Sequence, residues 1–172
     1  MNSSQSKDIV GAKDSKYILN MMSNFFAAMF HKAYGHIDSD TLIDAMEIVT
    51  PRSFYRRSHQ IIFQSMIQLS NRGEAIDLVT LKAEIEKSKA LDDIGGISYL
   101  SELSQSTPSS ASVSYYAKIV DDKSLLRQLI QTANQIVVKS LEQGEEVQAI
   151  VDEAERSILE VSEKRNSTGF QS

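Results

Sequence analysis

The stretch ASVSYYAKIVDDKSLLRQLIQTANQIVVKSLEQGEEVQAIVDEAERSILEVSEKR, residues 111–165, decides how the chain reads. It is about a third of the sequence and holds one glycine, Gly144, and no proline. Val113, Tyr116, Ile119 and Val120 recur at three- and four-residue spacing, and Leu125, Leu126, Leu129, Ile130, Ala133, Ile136, Val137, Val138 and Leu141 widen the stripe past half a helix circumference. A second arm repeats Val147, Ile150, Val151, Ala154, Ile158 and Val161 as one narrower face, with most acids outside it. Between the arms, Gly144 suits a helix C-terminus, and Glu145 suits the positive end of the next helix dipole. The spacing predicts an αα-hairpin whose first arm has more apolar surface than one partner helix can cover. Two core helices of a bundle account for the periodicity as well; a protruding hairpin that buries the surplus against a second copy accounts for the excess.

Outward from the hairpin, the chain reads as an all-α protein: a small helical globular subdomain at 14–110, followed by a long antiparallel helical hairpin at 111–165. Residues 1–13 form a polar lead-in expected to be disordered, and 166–172 a short tail. The subdomain's first helix is expected from Asp14 or Ser15, with Ile18, Met21, Met22, Phe25, Met29 and Phe30 inward and Gly35 as terminator. A second follows Asp38 or Ser39 and carries Leu42, Ile43, Met46 and Val49; Thr50-Pro51 stops it. The third runs from near Arg56 to Arg72 and ends at Gly73, and a short extended segment leads to a fourth capped by Thr80. After the Gly95-Gly96 turn, a fifth holds Ile97, Tyr99, Leu100 and Leu103. No strand is strong enough to build a sheet.

Composition narrows the function. With 41% hydrophobic and 24% charged residues the chain has the make-up of an ordinary globular protein, and its net charge of −5 is shared by both halves, so no broad basic footprint for nucleic acid stands out. The lack of cysteine excludes disulfides and thiolate metal sites and fits a reducing, cytoplasmic setting. The apolar run from Ile18 to Phe30 is too short to span a bilayer, and its internal Asn20, Ser23 and Asn24 argue against a signal peptide.

No glycine is followed by lysine, so a GxxxxGK[ST] phosphate loop is missing; His31, His36 and His59 lack metal-ligand spacing, and no GxSxG elbow presents a serine. Catalytic and metal-ligating residues are therefore expected to be none. The one basic and aromatic patch, Arg52, Arg56 and Arg57 with Phe54 and Tyr55, is a candidate contact for single-stranded nucleic acid.

Several words in order then carry a resemblance: Ser53-Phe54-Tyr55-Arg56-Arg57-Ser58-His59-Gln60-Ile61-Ile62-Phe63; Gly73 to Leu81; Gly95-Gly96-Ile97-Ser98-Tyr99-Leu100-Ser101-Glu102-Leu103; Thr107-Pro108; and Tyr115 to Val120. Over about Leu42 to Phe170 the chain resembles the N-terminal domain of bacterial DnaB-type replicative helicases. The resemblance implies a globular helical subdomain plus a hairpin that pairs two protomers, three pairs forming a collar on which primase, and in some lineages a helicase loader, docks. It places the dimer interface at Leu126, Leu129, Ile130, Ala133 and Val137 and a partner contact at Tyr99. It also implies that ATP, Mg and most DNA handling belong to a motor domain beyond this chain, reached through a linker that 166–172 would begin, so this fragment is expected to be no enzyme, to need no cofactor, and to bind DNA weakly or not at all. Upstream of Leu42 the family usually opens its first helix with an Ala-Glu-Gln stretch, where Asn24 to Phe30 stand here. The alternative is a free-standing nucleic-acid-binding or helicase-regulating module that uses the Arg52 to Arg57 patch.

Overall fold

The computed structural model describes residues 24–29, 36–37, 39–105, 113–142, 144 and 146–167. It is helical almost throughout. A helical segment over 24–29 is followed by β1 (His36–Ile37), α1 (Ser39–Met46), a 3-10 turn at Pro51–Ser53, α2 (Arg57–Asn71), β2 (Ile76–Asp77), α3 (Leu78–Lys87), α4 (Gly96–Gln105), α5 (Val113–Glu142) and α6 (Val147–Ser167). The chain divides into two compact units between Val120 and Asp121.

In the first unit the core is aromatic at its centre. Phe25, Phe26, Phe54 and Phe63 are fully buried, with ring centroids 5.1 Å apart for Phe54 and Phe63, 5.4 Å for Phe25 and Phe54, and 5.7 Å for Phe26 and Phe54. Each such pair adds about 0.5–1.5 kcal/mol beyond area burial. Helices join this centre through the faces their spacing dictates: Ile62, Phe63, Met66 and Leu69 from α2, Leu81 and Ile85 from α3, Leu100 and Leu103 from α4, and Val113, Tyr116, Ala117 and Val120 from the start of α5. Of the residues expected inward on the first helix, Phe25 and Met29 are buried, while Ile18, Met21, Met22 and Phe30 lie outside the described residues. In α1, Leu42 and Ala45 take the core, and Ile43 and Met46, expected there, face outward.

The expectation of no sheet needs a small correction. His36 pairs with Asp77 and Ile37 with Ile76 in a two-residue antiparallel ladder, and it forms because both isoleucines are buried side by side. The strand delivers the chain to α3 at Asp77, which is the cap, where Thr80 was expected. Asp77 Oδ1 accepts the backbone N–H groups of Val79 and Thr80, both at 2.8 Å, and the Thr80 hydroxyl accepts the Asp77 N–H at 3.0 Å. Both side chains satisfy orphan donors of the first turn, so the box is reciprocal with Thr80 in the third position. Replacing Asp77 by Ala is expected to cost about 1 kcal/mol, within the 0.5–2 kcal/mol range for lost caps, measured as a shift in the chemical-denaturation midpoint at constant slope.

At the other end of α2, Gly73 takes φ 67°, letting its N–H reach the Ser70 carbonyl while the Glu74 N–H returns to Leu69. That turn aims Arg72 back at α3. Its guanidinium grips both oxygens of the mostly buried Glu84 at 3.1 and 2.7 Å and reaches Glu74 at 2.6 Å, and Lys87 adds a contact to Glu84 at 2.8 Å. Arg72 first, then Lys87, holds the Glu84 carboxyl down at about 2.

Candidate interaction surfaces

In the first unit the polar chemistry gathers where α2 starts. Arg56 is the N-cap residue, with no side-chain cap, and no acid stands in the first turn. Arg52, Arg56 and Arg57 are all exposed, and Tyr55 beside them is 71% exposed. Arg57 leans toward Gln60, whose amide donates to the Phe54 carbonyl at 2.8 Å and holds the loop before the helix. Arg56 turns toward α4, where its guanidinium sits beside the Tyr99 hydroxyl.

His59, one turn into α2, is 1% exposed. Its Nε2 lies 2.6 Å from the Tyr99 hydroxyl, and the two rings stack with centroids 6.0 Å apart and an interplanar angle of 14°. The Tyr99 oxygen lies between the Arg56 guanidinium, which only donates, and His59 Nε2, with which it shares one hydrogen bond whose donor is set by the imidazole tautomer. Among the described residues Nδ1 is buried without a hydrogen-bond partner. Phe26 and Phe54 cover the ring. Burial, and then the charge of Arg56, pushes the His59 pKa down to about 4, so the ring is neutral at physiological pH. Burial likewise raises the Tyr99 hydroxyl above its ordinary range. Tyr99 is therefore a half-buried tether between α4 and α2, with its hydroxyl engaged inside the unit. The tether to His59 left no trace in the sequence, because the partners are 40 residues apart.

In the second unit the two arms leave most of their apolar surface open. Among the described residues from 125 to 163 no side chain is buried. From Leu125 onward the half-buried positions of α5 are Leu125, Arg127, Gln128, Thr132, Ile136 and Lys139, a row of mixed polarity, and those of α6 include Ile150, Glu153, Ala154, Ser157 and Val161. Lys139 forms an ion pair with Glu153 across the arms. A groove of about 490 Å³ runs along this junction, walled by Gln135, Ile136, Val138 and Glu142 of α5 and by Ile150, Glu153, Ala154 and Ser157 of α6.

The richer stripe of α5 points elsewhere. Leu126, Leu129, Ile130 and Val137 are 41–56% exposed, and Ala133, between them at helical spacing, is exposed as well. On α6, Val147, Val151, Ile158 and Leu159 are 41–78% exposed, so the second arm also carries an apolar stripe beyond what the first arm covers. Single exposed apolar residues are ordinary on a surface, but here they form a run on both arms of one hairpin.

Among the described residues no group of histidines and carboxylates is placed to hold a metal ion, and no helix is long and apolar enough to cross a membrane.

Comparison with known proteins matches this architecture. The model of the DnaB-like helicase N-terminal domain matches residues 36–122. Replicative DNA helicase DnaB of Geobacillus stearothermophilus is 46% identical over 134 residues, which is 78% of this chain and 30% of that protein. Replicative DNA helicase DnaC of Bacillus subtilis is 44% identical over 127 residues, 74% of this chain and 28% of that protein. The chain thus spans under a third of the length of these relatives. The crystal structure of the N-terminal domain of DnaB helicase from Mycobacterium tuberculosis superposes with a TM-score of 0.71 at 32% identity, covering 84% of this chain and 96% of that one. A structure of a DnaB-like replicative helicase that describes its interactions with primase shares the fold, with a TM-score of 0.61 at 20% identity over 83% of this chain and 31% of that one. The family match takes in β1 through the first turns of α5, where Phe54, Phe63 and the His59 to Tyr99 tether lie, and the chain belongs to the DnaB-like helicase N-terminal domain family.

Proposed function

We propose that this chain is the assembly and partner-docking part of a replicative hexameric helicase: it pairs with a second copy through Leu126, Leu129, Ile130, Ala133 and Val137, and the paired hairpins present a surface to primase. The observation that carries the reading is the hairpin itself, where every described side chain from 125 to 163 keeps contact with solvent while an apolar stripe on each arm lies open. A helix pair with a mixed-polarity junction gains little from its own packing, and burying the open stripes against an identical hairpin supplies what the junction lacks. Such an isologous contact is the ordinary way two copies of one surface meet. ATP hydrolysis and DNA translocation then fall to the remainder of the helicase, and a helicase loader is a second candidate for the assembled surface.

Sedimentation of the chain over a concentration series is expected to show a monomer–dimer equilibrium, and Leu129→Glu together with Val137→Glu is expected to leave only monomer with an unchanged circular dichroism signal for the globular unit. A chain that stays monomeric throughout and shows no affinity for primase overturns the reading. Arg52, Arg56 and Arg57 give the nucleic-acid alternative its only footing, and Arg56 is already turned to Tyr99.

A further inference from the structure

The groove between the arms lies on a different side of α5 from the stripe assigned to pairing. With the half-buried row Leu125, Thr132 and Lys139 as reference, about 100° per residue puts Leu126, Leu129, Ile130, Ala133 and Val137 about 60 to 160° to one side, and Gln135, Val138 and Glu142 about 60 to 120° to the other, with Ile136 close to the seam between the arms. Two copies that meet through the first set leave the groove open. Its volume, about 490 Å³, falls within the range of about 300–1,000 Å³ common for binding clefts. Ile136, Val138, Ile150 and Ala154 contribute aliphatic carbon to its lining, and Glu142, Glu153 and Lys139 its charged groups. Lys139 and Glu153 pair with each other, and from residue 142 to residue 165 the sequence holds eight carboxylates against three cations, Arg156, Lys164 and Arg165.

We infer that this groove is a docking site for an amphipathic helix of a partner protein, one that inserts a short row of aliphatic side chains between the arms and flanks it with lysine or arginine. The arms already provide two sides of a three-helix arrangement, and their junction is shallow enough to accept a third. The acidic second arm selects the sign of the flanking charge, steering basic helices in and turning acidic ones away. The partner so defined occupies a face that pairing does not use, so the inference stands independently of the pairing stripe.

The test uses the full chain and two fluorescein-labelled synthetic helices with the same leucine row, one flanked by lysine and the other by glutamate, followed by fluorescence anisotropy. The lysine-flanked helix is expected to bind at least about tenfold tighter than the glutamate-flanked one, a preference that shrinks as salt rises. Val138 is 52% exposed, so Val138→Lys leaves the fold intact; it is expected to weaken the lysine-flanked helix about tenfold or more, whereas Val79→Lys on the globular unit leaves it unchanged. Equal binding of the two helices, binding of neither, or a V138K chain that binds as tightly as the parent each overturns the inference. Sedimentation of the same samples keeps the two questions apart: a monomer that still prefers the basic helix counts only against pairing, and a dimer with no preference counts only against the groove.

Discussion

Phe63→Ala is expected to cost the globular unit about 3–5 kcal/mol. Phe63 is fully buried, with ring centroids 5.1 Å from Phe54 and 6.0 Å from Phe25, so removing it takes away transfer energy and two aromatic contacts and leaves a cavity lined by rings that cannot collapse inward without leaving their rotamers. Domains of this size are stable by about 5–15 kcal/mol, so the variant approaches or crosses the threshold of folding at ambient temperature. Phe63→Leu separates the causes. It keeps most of the volume and the apolar character and loses only the ring geometry, so it is expected to cost far less than the alanine variant. Urea unfolding followed by circular dichroism measures both, and a Phe63→Ala cost below about 1.5 kcal/mol contradicts a centre built on that ring.

Acidification from pH 7 to pH 4 is expected to remove about 3 kcal/mol through His59 alone. Between its unfolded value of 6.5 and its folded value of about 4, the unfolded chain binds a proton that the folded chain refuses, so stability falls as pH falls across that window and the loss is complete below it. The size follows from a separation of about 2.5 pH units at about 1.36 kcal/mol each. Glu84 acts in a different window. Its folded carboxyl is held at about 2 against 4.5, so its contribution is intact above pH 4.5 and is lost from there toward 2. A denaturation series at half-unit pH steps resolves the two limbs, and His59→Gln is expected to flatten only the upper one. A parent protein whose stability is level from pH 7 to 4.5 contradicts a buried neutral imidazole.

The sequence made the helices legible wherever punctuation was local. Gly73 ended α2 within a residue of the expected place because a positive φ calls for glycine, whereas Lys89, at φ 55°, closes α3 in the same type of turn with nothing in its side chain to announce it. The cap at Asp77 was misplaced to Thr80 because both belong to one reciprocal box and either spells a helix start. The ladder of Ile37 with Ile76 and the tether of His59 to Tyr99 join residues 39 and 40 positions apart, beyond the reach of any periodicity. In the hairpin, spacing found the apolar stripe of α5 at Leu126 to Val137 but not what lies against the other arm. A 3.6-residue rhythm marks a face without naming its neighbour, and the row between the arms, Gln128, Thr132 and Lys139 among it, is the one that hydrophobicity would pass over. On α6 the apolar face read from the sequence is offset from the half-buried one: Ile150, Ala154 and Val161 belong to both, while Val147, Val151 and Ile158 stay exposed and Glu153 and Ser157 are half-buried.

That division between a tightly filled first unit and an open hairpin also separates two kinds of mutational freedom. A change at Phe63 or Ile62 is judged by whether the chain folds at all, while a change at Val138 or Glu155 removes no buried contact within the chain and stays near the ±0.5 kcal/mol expected of surface sites. The hairpin can therefore drift in charge and shape, and so in the molecules it selects, without renegotiating the core that carries it.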